Sequence, residues 1–220
     1  MLKIGHRGAK GHVAENTLES FLKAFELGAD GIELDVHLSA DGEVVIIHDA
    51  TVDRTIKNAS GYIRDFTVQD CAKVGIPTLV AVFHILPEEA FLNIEIKDIF
   101  VTERVVYEIE KFIRLGEIQY KSILVSSFHW QVLKQIQQIN PSILLGVLAD
   151  EKPYEALEFA KTINAFSINL WFKQITDDLL QLAHRNQIQV HAYTVNSPED
   201  IIFVKKMGVD AIITDYPDRV

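Results

Sequence analysis

The feature that most constrains the fold is a series of short apolar segments of strand length, most of them followed by a segment with helical periodicity. Leaving out the return arm of one hairpin, eight such strands are counted, near residues 4, 34, 94, 124, 145, 168, 191 and 212. Eight strand–helix units in a chain of 220 residues predict an α/β fold, a (β/α)8 TIM barrel. An open doubly wound sheet is the alternative architecture.

The same patterns predict the bounds of the elements. Helices are predicted over residues 101–115, 130–139, 153–162, 176–185 and 198–207, and strands over 122–126, 143–148 and 189–194. A further helix is predicted over Thr78–Leu86, where Pro87 breaks it. The polar stretch of about 50–76 is predicted to be a short insertion after the second-strand hairpin, within a single domain of residues 1–220.

Composition and charge exclude several classes of function. The formal net charge of −10 argues against a nucleic-acid partner, which requires clustered cationic charge, and provides no attraction to anionic membranes. The single cysteine, Cys71, excludes an internal disulfide and suits a reducing cytoplasm. No stretch approaches the ~20 apolar residues of a membrane span, so no stable membrane insertion is expected. We therefore predict a soluble cytoplasmic protein with a small-molecule partner, and leave a homo-oligomer open.

The segment Gly31–Asp49 carries the first indication of chemistry. Apolar and polar residues alternate along its first half, which places Glu33, Asp35 and His37 on one face of a strand. A half-solvated sheet would explain that alternation. It would not explain the apolar run 44–47, which predicts burial on both sides of the return strand. Buried carboxylates require a cation or hydrogen-bond donors, so the segment favours a metal or catalytic site.

The loop of this hairpin determines which residues meet. Asp41-Gly42 is a hairpin signal, and Glu43–Ile47 is the predicted return strand. A two-residue loop would place His48 opposite Asp35. A three-residue loop with a bulge would shift the pairing by one residue.

Charged residues recur where the predicted strands end. Glu33, Asp35 and Glu95 form an all-oxygen ligand set, which suits Mg²⁺ or Ca²⁺, with Mn²⁺ as a further candidate, rather than zinc. With a divalent cation, Arg7 and Lys97 would make the pocket net positive, as a phosphodiester anion requires. Structural ion pairs are the alternative role for these two cations.

Two histidines complete this candidate site. His6 and His48 are placed to act as a general acid and a general base near neutral pH, although a lone histidine in a loop is more often merely hydrogen-bonded. A metal, two cations and a histidine pair together favour phosphoryl transfer over carbonyl chemistry. Asn196 and Asp215 also stand at strand ends. Trp171 and Tyr193 fit either barrel packing or substrate binding.

These residues lie in motifs that resemble those of bacterial glycerophosphodiester phosphodiesterases, in the phosphatidylinositol-phospholipase-C-like barrel superfamily. The matching motifs cover the chain in family order: HRGAKGHVAENT at 6–17, ELDVHLSADGEVVIIHD at 33–49, IPTL at 76–79, LNIEIK at 92–97, SSF at 126–128, YTVN at 193–196 and TDYP at 214–217. The chain departs from the family pattern at Ala14, where proline is usual, at Tyr193, where tryptophan is common, and at Val80-Ala81, where acidic residues commonly follow the IPTL motif.

The resemblance implies a TIM barrel and metal-dependent hydrolysis of glycerophosphodiesters to an alcohol and sn-glycerol 3-phosphate, a reaction of lipid and glycerol metabolism. It implies His6 and His48 as the acid–base pair, acting through a cyclic phosphate. It further implies Glu33, Asp35 and Glu95 as metal ligands and Arg7 and Lys97 as phosphate ligands, and we add Phe128, Trp171 and Tyr193 as candidate substrate contacts.

Two alternatives stay open. A lysophospholipid substrate on the same barrel would need an apolar groove, for which Phe128, Trp130, Trp171 and Phe172 are candidate walls. A non-catalytic phosphate- or metal-binding relative is disfavoured because both histidines are present.

Overall fold

The fold is built from nine strands, seen in a computed structural model that describes residues 1–220. They are β1 (Leu2–Gly5), β2 (Gly31–Leu38), β3 (Val44–Ile46), β4 (Phe91–Ile96), β5 (Ile123–Ser127), β6 (Leu144–Ala149), β7 (Ser167–Trp171), β8 (Gln189–Tyr193) and β9 (Ala211–Thr214). All except β3 are parallel, and β1 pairs with both β9 and β2, which closes an eight-stranded barrel. The predicted TIM barrel is confirmed, and the open sheet is excluded.

Helices surround the barrel. They are α1 (Leu18–Glu26), α2 (Val68–Lys73), α3 (Leu79–Phe83), α4 (Thr102–Leu115), α5 (Trp130–Ile139), α6 (Pro153–Thr162), α7 (Asp177–Arg185) and α8 (Pro198–Met207). Side chains of Thr17, Thr176 and Ser197 cap the helices that follow them. None of these helices has both the length and the apolar surface that crossing a bilayer requires.

The helix predicted over Thr78–Leu86 is shorter than expected. It ends at Phe83, and Ile85 and Leu86 form i→i−3 backbone hydrogen bonds instead. Pro87 disfavours α-helical conformation in the residue before it, so the chain leaves the helix early. The five helices α4–α8 begin within one residue of their predicted starts and end at the predicted residue.

Alternation along the strands divides the buried side chains between two environments. The outward residues of β2, such as Ile32 and Leu34, pack with the helices in the main hydrophobic core. The inward residues at the N-terminal end of the barrel form a separate apolar cluster, which we call the barrel floor: Ile4, Phe91, Leu124, Ala211 and Ile213.

The return strand β3 is buried on both sides, as its apolar run predicted. Val44 and Ile46 belong to the main core. Val45 and Ile47 instead pack into a small cluster formed with the residue 50–76 segment, whose members include Val52, Ile63, Cys71 and Ile76. This cluster anchors the segment beside the C-terminal end of the barrel.

The hairpin register is the three-residue alternative. Val36 pairs with Ile46, and the backbone N–H of Ile47 donates to the carbonyl oxygen of Asp35 at 3.0 Å, so His48 is not opposite Asp35. The two-residue register is therefore wrong. Gly42 adopts φ 82° in the loop, which is the left-handed position that a three-residue hairpin with a bulge requires.

Candidate active site

Three acidic residues converge at the C-terminal end of the barrel interior. Asp35 and Glu95 are direct neighbours across β2 and β4, and Glu33 lies two residues before Asp35 on the same face. One oxygen from each carboxylate lies within 4.8 Å of the others, and all three side chains are buried. Burial and the neighbouring carboxylate of Asp35 raise the pKa of Glu33 well above its usual range and that of Glu95 to about 7.

This cluster has the properties of a metal site. Oε1 of Glu33 and Oδ1 of Asp35 are buried without a hydrogen-bond partner, which is costly for a carboxylate unless a cation compensates it. The donors are all oxygen, as Mg²⁺, Ca²⁺ and Mn²⁺ prefer. The residues present therefore fit a divalent cation.

Arg7 and Lys97 flank the acidic cluster. Nζ of Lys97 lies 2.7 Å from Oε1 of Glu95 and 3.7 Å from Oδ1 of Asp35. Nε of Arg7 lies 3.2 Å from Oδ2 of Asp35, and its backbone N–H donates to Glu33 at 2.9 Å. Burial opposes the charge on both side chains, but the surrounding carboxylates outweigh it and raise the pKa of each, so both remain cationic.

The loop between β1 and α1 is shaped to make these contacts. Arg7 and Asn16 have φ of 50° and 57°, in the left-handed region that non-glycine residues rarely adopt. Asn16 is buried and donates from Nδ2 to Oδ2 of Asp35 at 2.8 Å. The HRG and ENT motifs thus meet on one carboxylate of the acidic cluster.

His6 is oriented by the far end of the chain. Its Nδ1 lies 2.6 Å from Oδ1 of Asp215. Nδ2 of Asn196 donates to Oδ2 of the same carboxylate, and Oδ1 of Asn196 accepts from the backbone N–H of Asp215. Burial opposes ionisation of Asp215, but the hydrogen bonds with His6 and Asn196, together with the charges of His6 and Lys10, outweigh it and lower its pKa. The carboxylate therefore accepts from Nδ1–H, which leaves Nε2 of His6 unprotonated and 4.0 Å from Glu33.

His48 has a corresponding partner in Asp49. The two are joined through Nδ1 and Oδ1 at 2.6 Å, and hydrogen bonds from Arg54, together with His48, lower the pKa of Asp49 to about 2. Arg54 also donates to Glu15, which in turn accepts from Arg7 at 2.8 Å. A continuous chain of charged hydrogen bonds therefore connects His48 with Arg7 on the far side of the site.

Sequence reasoning assigned no role to several of these residues. Asp215 and Asn196 were recognised only as polar residues at strand ends. The available signal was the barrel closure itself, because closing the sheet makes β9 the neighbour of β1 and brings Asp215 to His6. No comparable signal identifies Arg54, since it lies in an irregular loop whose path depends on the small apolar cluster beneath it.

The predicted substrate contacts divide into two groups. Phe128 and Tyr193 line the cavity of about 310 Å³ that also contains His6, His48 and the cations. Their rings pack edge to face with centroids 6.3 Å apart, and the hydroxyl of Tyr193 donates to Asp150 at 2.8 Å. Trp171 is 39% exposed at the end of β7 and does not line this cavity.

The apolar groove suggested for a lysophospholipid is not formed by the four residues named for it. Trp130 stacks on Phe159 and donates its Nε1–H to the carbonyl oxygen of Leu148 at 2.9 Å. Phe172 is buried. Only Phe128 and Trp171 of the four are exposed at this end of the barrel.

The fold and this site define a class of protein. A TIM barrel whose C-terminal end combines paired histidines, an acidic cluster and two cations is organised as a phosphodiesterase. The sequence profile of the glycerophosphoryl diester phosphodiesterase family matches residues 6–219. The chain belongs to this family, and it is an enzyme of the phosphoric diester hydrolase type.

Individual relatives agree with this assignment over the whole chain. Glycerophosphodiester phosphodiesterases of Caldanaerobacter subterraneus and Bacillus altitudinis are 36% and 34% identical to it, over 99% and 100% of this chain and 95% and 96% of theirs. The glycerophosphodiester phosphodiesterase structure from Thermotoga maritima superposes with a TM-score of 0.87 at 29% identity, over 99% of this chain and 96% of that one. An Oleispira antarctica phosphodiesterase, solved with its product sn-glycerol-3-phosphate, shares the fold at a TM-score of 0.86 and 24% identity, over 98% and 93% of the chains.

Proposed function

We propose that this enzyme hydrolyses glycerophosphodiesters to an alcohol and sn-glycerol 3-phosphate, with a divalent cation and with His6 and His48 as its acid–base pair. The observation that carries the proposal is that both histidines line one cavity with Glu33 and Glu95 of the acidic cluster and with the two cations, and that each histidine is hydrogen-bonded to a carboxylate. Forming one P–O bond while another breaks requires a general base for the attacking oxygen and a general acid for the leaving oxygen. We place this activity in lipid and glycerol metabolism in the cytoplasm.

Glu33, Asp35 and Glu95 would hold the cation, which is Mg²⁺, Ca²⁺ or Mn²⁺. When bound, it would polarise a phosphoryl oxygen and lower the pKa of the glycerol hydroxyl. Charge balance supports this assignment. With all three carboxylates ionised around a divalent cation, the cluster together with Arg7 and Lys97 carries a charge of +1, which matches a singly charged phosphodiester.

His6 is the base in the first half-reaction. Its Nε2 is 4.0 Å from Oε2 of Glu33. The ring of His48, by contrast, lies within ion-pair distance of Asp49 and of no carboxylate in the acidic cluster. Burial lowers the pKa of His6 in spite of the hydrogen bond with Asp215, which favours the neutral imidazole that a base requires. His48, beside the Asp49 carboxylate, then serves as the acid.

In the first half-reaction, His6 takes the proton of the glycerol 2-hydroxyl while that oxygen forms a bond to phosphorus. The bond from phosphorus to the alcohol oxygen breaks, and His48 protonates the departing alcohol. Arg7 and Lys97 stabilise the negative charge that accumulates on the phosphoryl oxygens. A cyclic phosphate is the product of this step.

Water opens the cyclic phosphate with the two histidines in reversed roles. His48 takes a proton from water as the water oxygen bonds to phosphorus. His6 returns its proton to the glycerol 2-oxygen as the bond between that oxygen and phosphorus breaks. Both histidines are then restored, and sn-glycerol 3-phosphate is released.

A substrate that lacks the 2-hydroxyl tests this route. The 2-deoxy analogue should bind with a similar affinity and should not turn over, because its attacking oxygen is missing. Rapid hydrolysis of the analogue would mean direct attack by water and would remove the cyclic phosphate from the mechanism. Absence of turnover with any glycerophosphodiester, in the presence of each of the three cations, would instead favour the non-catalytic alternative.

A further inference from the structure

A second cavity, of about 540 Å³, lies beside the site cavity, and His48 is the one residue that lines both. Its walls come from the loop after β1, the end of β3 and the residue 50–76 segment. The mechanism proposed above uses nothing in this cavity except His48. Because this cavity adjoins the proposed general acid, it is placed to bind part of the substrate.

More of the surface of this cavity is apolar than polar, although uncharged polar residues such as Asn16, Thr17 and Thr55 also line it. Side chains that line it include Val13, Ile47, Ile56, Val74 and Ile76. Of the charged residues at its edge, Glu15 is already engaged by Arg7 and Arg54, Lys10 lies 3.8 Å from Glu15, and Glu19 is exposed. An uncharged, apolar group is the occupant that these walls would stabilise.

The stereochemistry of displacement at phosphorus determines which part of a substrate reaches it. The attacking and leaving oxygens lie roughly in line on opposite sides of phosphorus. With the attacking oxygen beside His6, the leaving oxygen is beside His48, and the alcohol attached to it continues past His48. We infer that this second cavity, which we call the leaving-group cavity, binds the leaving alcohol and favours alcohols with an uncharged hydrocarbon chain. The inference rests on the function proposed above.

The two halves of the substrate would then meet different surroundings. In the site cavity, Asp150 and Tyr193 offer polar groups that suit the hydroxyls of glycerol. The leaving-group cavity offers mainly methyl and methylene groups. The preferred substrate class is therefore a glycerophosphodiester that is polar at the glycerol and apolar at the leaving alcohol.

A homologous series of substrates tests this inference. Glycerophosphodiesters of ethanol, butanol and hexanol have leaving groups of nearly equal acidity, so differences in kcat/KM report binding rather than bond cleavage. We expect kcat/KM to rise about 4-fold for each methylene that enters the leaving-group cavity. A choline ester, whose leaving group is charged, should fall below the hexanol ester.

Two variants localise the effect. Ala14 lines the cavity and is exposed, so Ala14→Trp should obstruct it and flatten the rise with chain length. Ile56→Gln replaces an apolar wall with an amide of similar length and should flatten it independently. Ala72→Trp is the matched control, because Ala72 is exposed on α2 in the same segment but does not line the cavity.

The outcomes separate this inference from the proposed function. A rise with chain length in the parent and in Ala72→Trp, lost in both cavity variants, supports it. Turnover of the ethanol ester with no dependence on chain length, or an equal rise in all variants, overturns it while the proposed function stands. No turnover of any ester overturns the proposed function, and this inference with it.

Discussion

The same strands form both the floor of the barrel interior and its C-terminal end. Along one strand, a residue of the floor and a residue of the C-terminal end are only two to four positions apart. Along the inner face of β4 the side chains run from Phe91 through Asn93 to Glu95, and Lys97 follows just beyond the strand. The floor is formed mainly by apolar side chains that need no hydrogen-bond partner. At the other end, burial of carboxylates and cations leaves oxygens without hydrogen bonds and shifts pKa values.

This difference indicates what each end contributes. Apolar packing at the floor lowers the free energy of the folded chain through burial. Buried charges at the C-terminal end add little to the free energy of unfolding. Three adjacent buried carboxylates are therefore better explained by function than by stabilisation of the fold. Substitutions at the two ends should therefore separate stability from activity.

The largest effect is expected at the histidines. His6→Ala and His48→Ala should each lower kcat by about 10²–10⁴-fold, because each would remove one member of the proposed acid–base pair. The melting temperature should change little. Steady-state kinetics of both single variants and the double variant measure this, and the double variant should be little worse than either single one, since the two act in one relay.

At the floor the opposite behaviour is expected. Leu124→Ala should reduce the free energy of unfolding by about 2–5 kcal/mol, because it leaves a cavity in a fully buried cluster. Its kcat at a temperature where it remains folded should match that of the parent. Denaturant unfolding measures the first quantity, and a large loss of kcat in the folded variant would show that the two ends are not separable.

Lys97→Met tests whether a cation at the C-terminal end is catalytic or structural. Removing the charge should raise the activation barrier by about 2–4 kcal/mol, by analogy with the loss of an oxyanion donor. Stability should be retained, since a methionine keeps much of the buried stem. A melting temperature that falls together with kcat/KM would support a purely structural ion pair with Glu95.

His191 packs against the ring of Phe91 at the barrel floor, and its burial makes stability depend on pH. It is fully buried, and burial lowers its pKa from 6.5 to about 4. As the pH falls, the unfolded chain takes up the proton first, so the folded state loses stability between pH 6.5 and pH 4. From pH 7 to pH 4 this contribution is on the order of 3 kcal/mol.

A comparison with His191→Leu isolates that contribution from other acid-labile groups. Between pH 7 and pH 4, the free energy of unfolding should fall by about 3 kcal/mol more in the parent than in the variant. Parallel losses in the two proteins would mean that His191 does not titrate differently in the folded and unfolded states.

The sequence predicted the barrel and the convergence of Glu33, Asp35 and Glu95 because both follow from local pattern. Alternation determines which residues share a strand face, and parallel strands bring their C-terminal ends together. The partner of His6 was harder to predict, because Asp215 reaches His6 only through closure of the barrel. The leaving-group cavity was not predictable, since it depends on how residues 50–76 pack against β3.

The register of the β2–β3 hairpin shows a similar limit. Asp41-Gly42 fits both a two-residue and a three-residue loop, so the local signal left two pairings open. The structure has the three-residue loop, in which Gly42 alone among the loop residues has a positive φ. A single residue in the loop length thus decides which side chains of the two strands are opposite each other.

The role proposed for the acidic cluster is to hold a divalent cation. Calorimetric titration of chelator-treated protein with Mg²⁺, Ca²⁺ and Mn²⁺ tests it most directly. Glu89→Gln, which removes an exposed carboxylate before β4, is the matched control for Asp35→Asn. Because the pKa of Glu95 is raised to about 7, protons compete with the cation below that pH.

We predict one cation per chain, bound about 10-fold more tightly at pH 8 than at pH 6 if one proton is displaced. Binding should be lost in Asp35→Asn and retained in Glu89→Gln, and chelation should abolish activity until the cation is returned. Absence of binding, or full activity after exhaustive chelation, would contradict the claim.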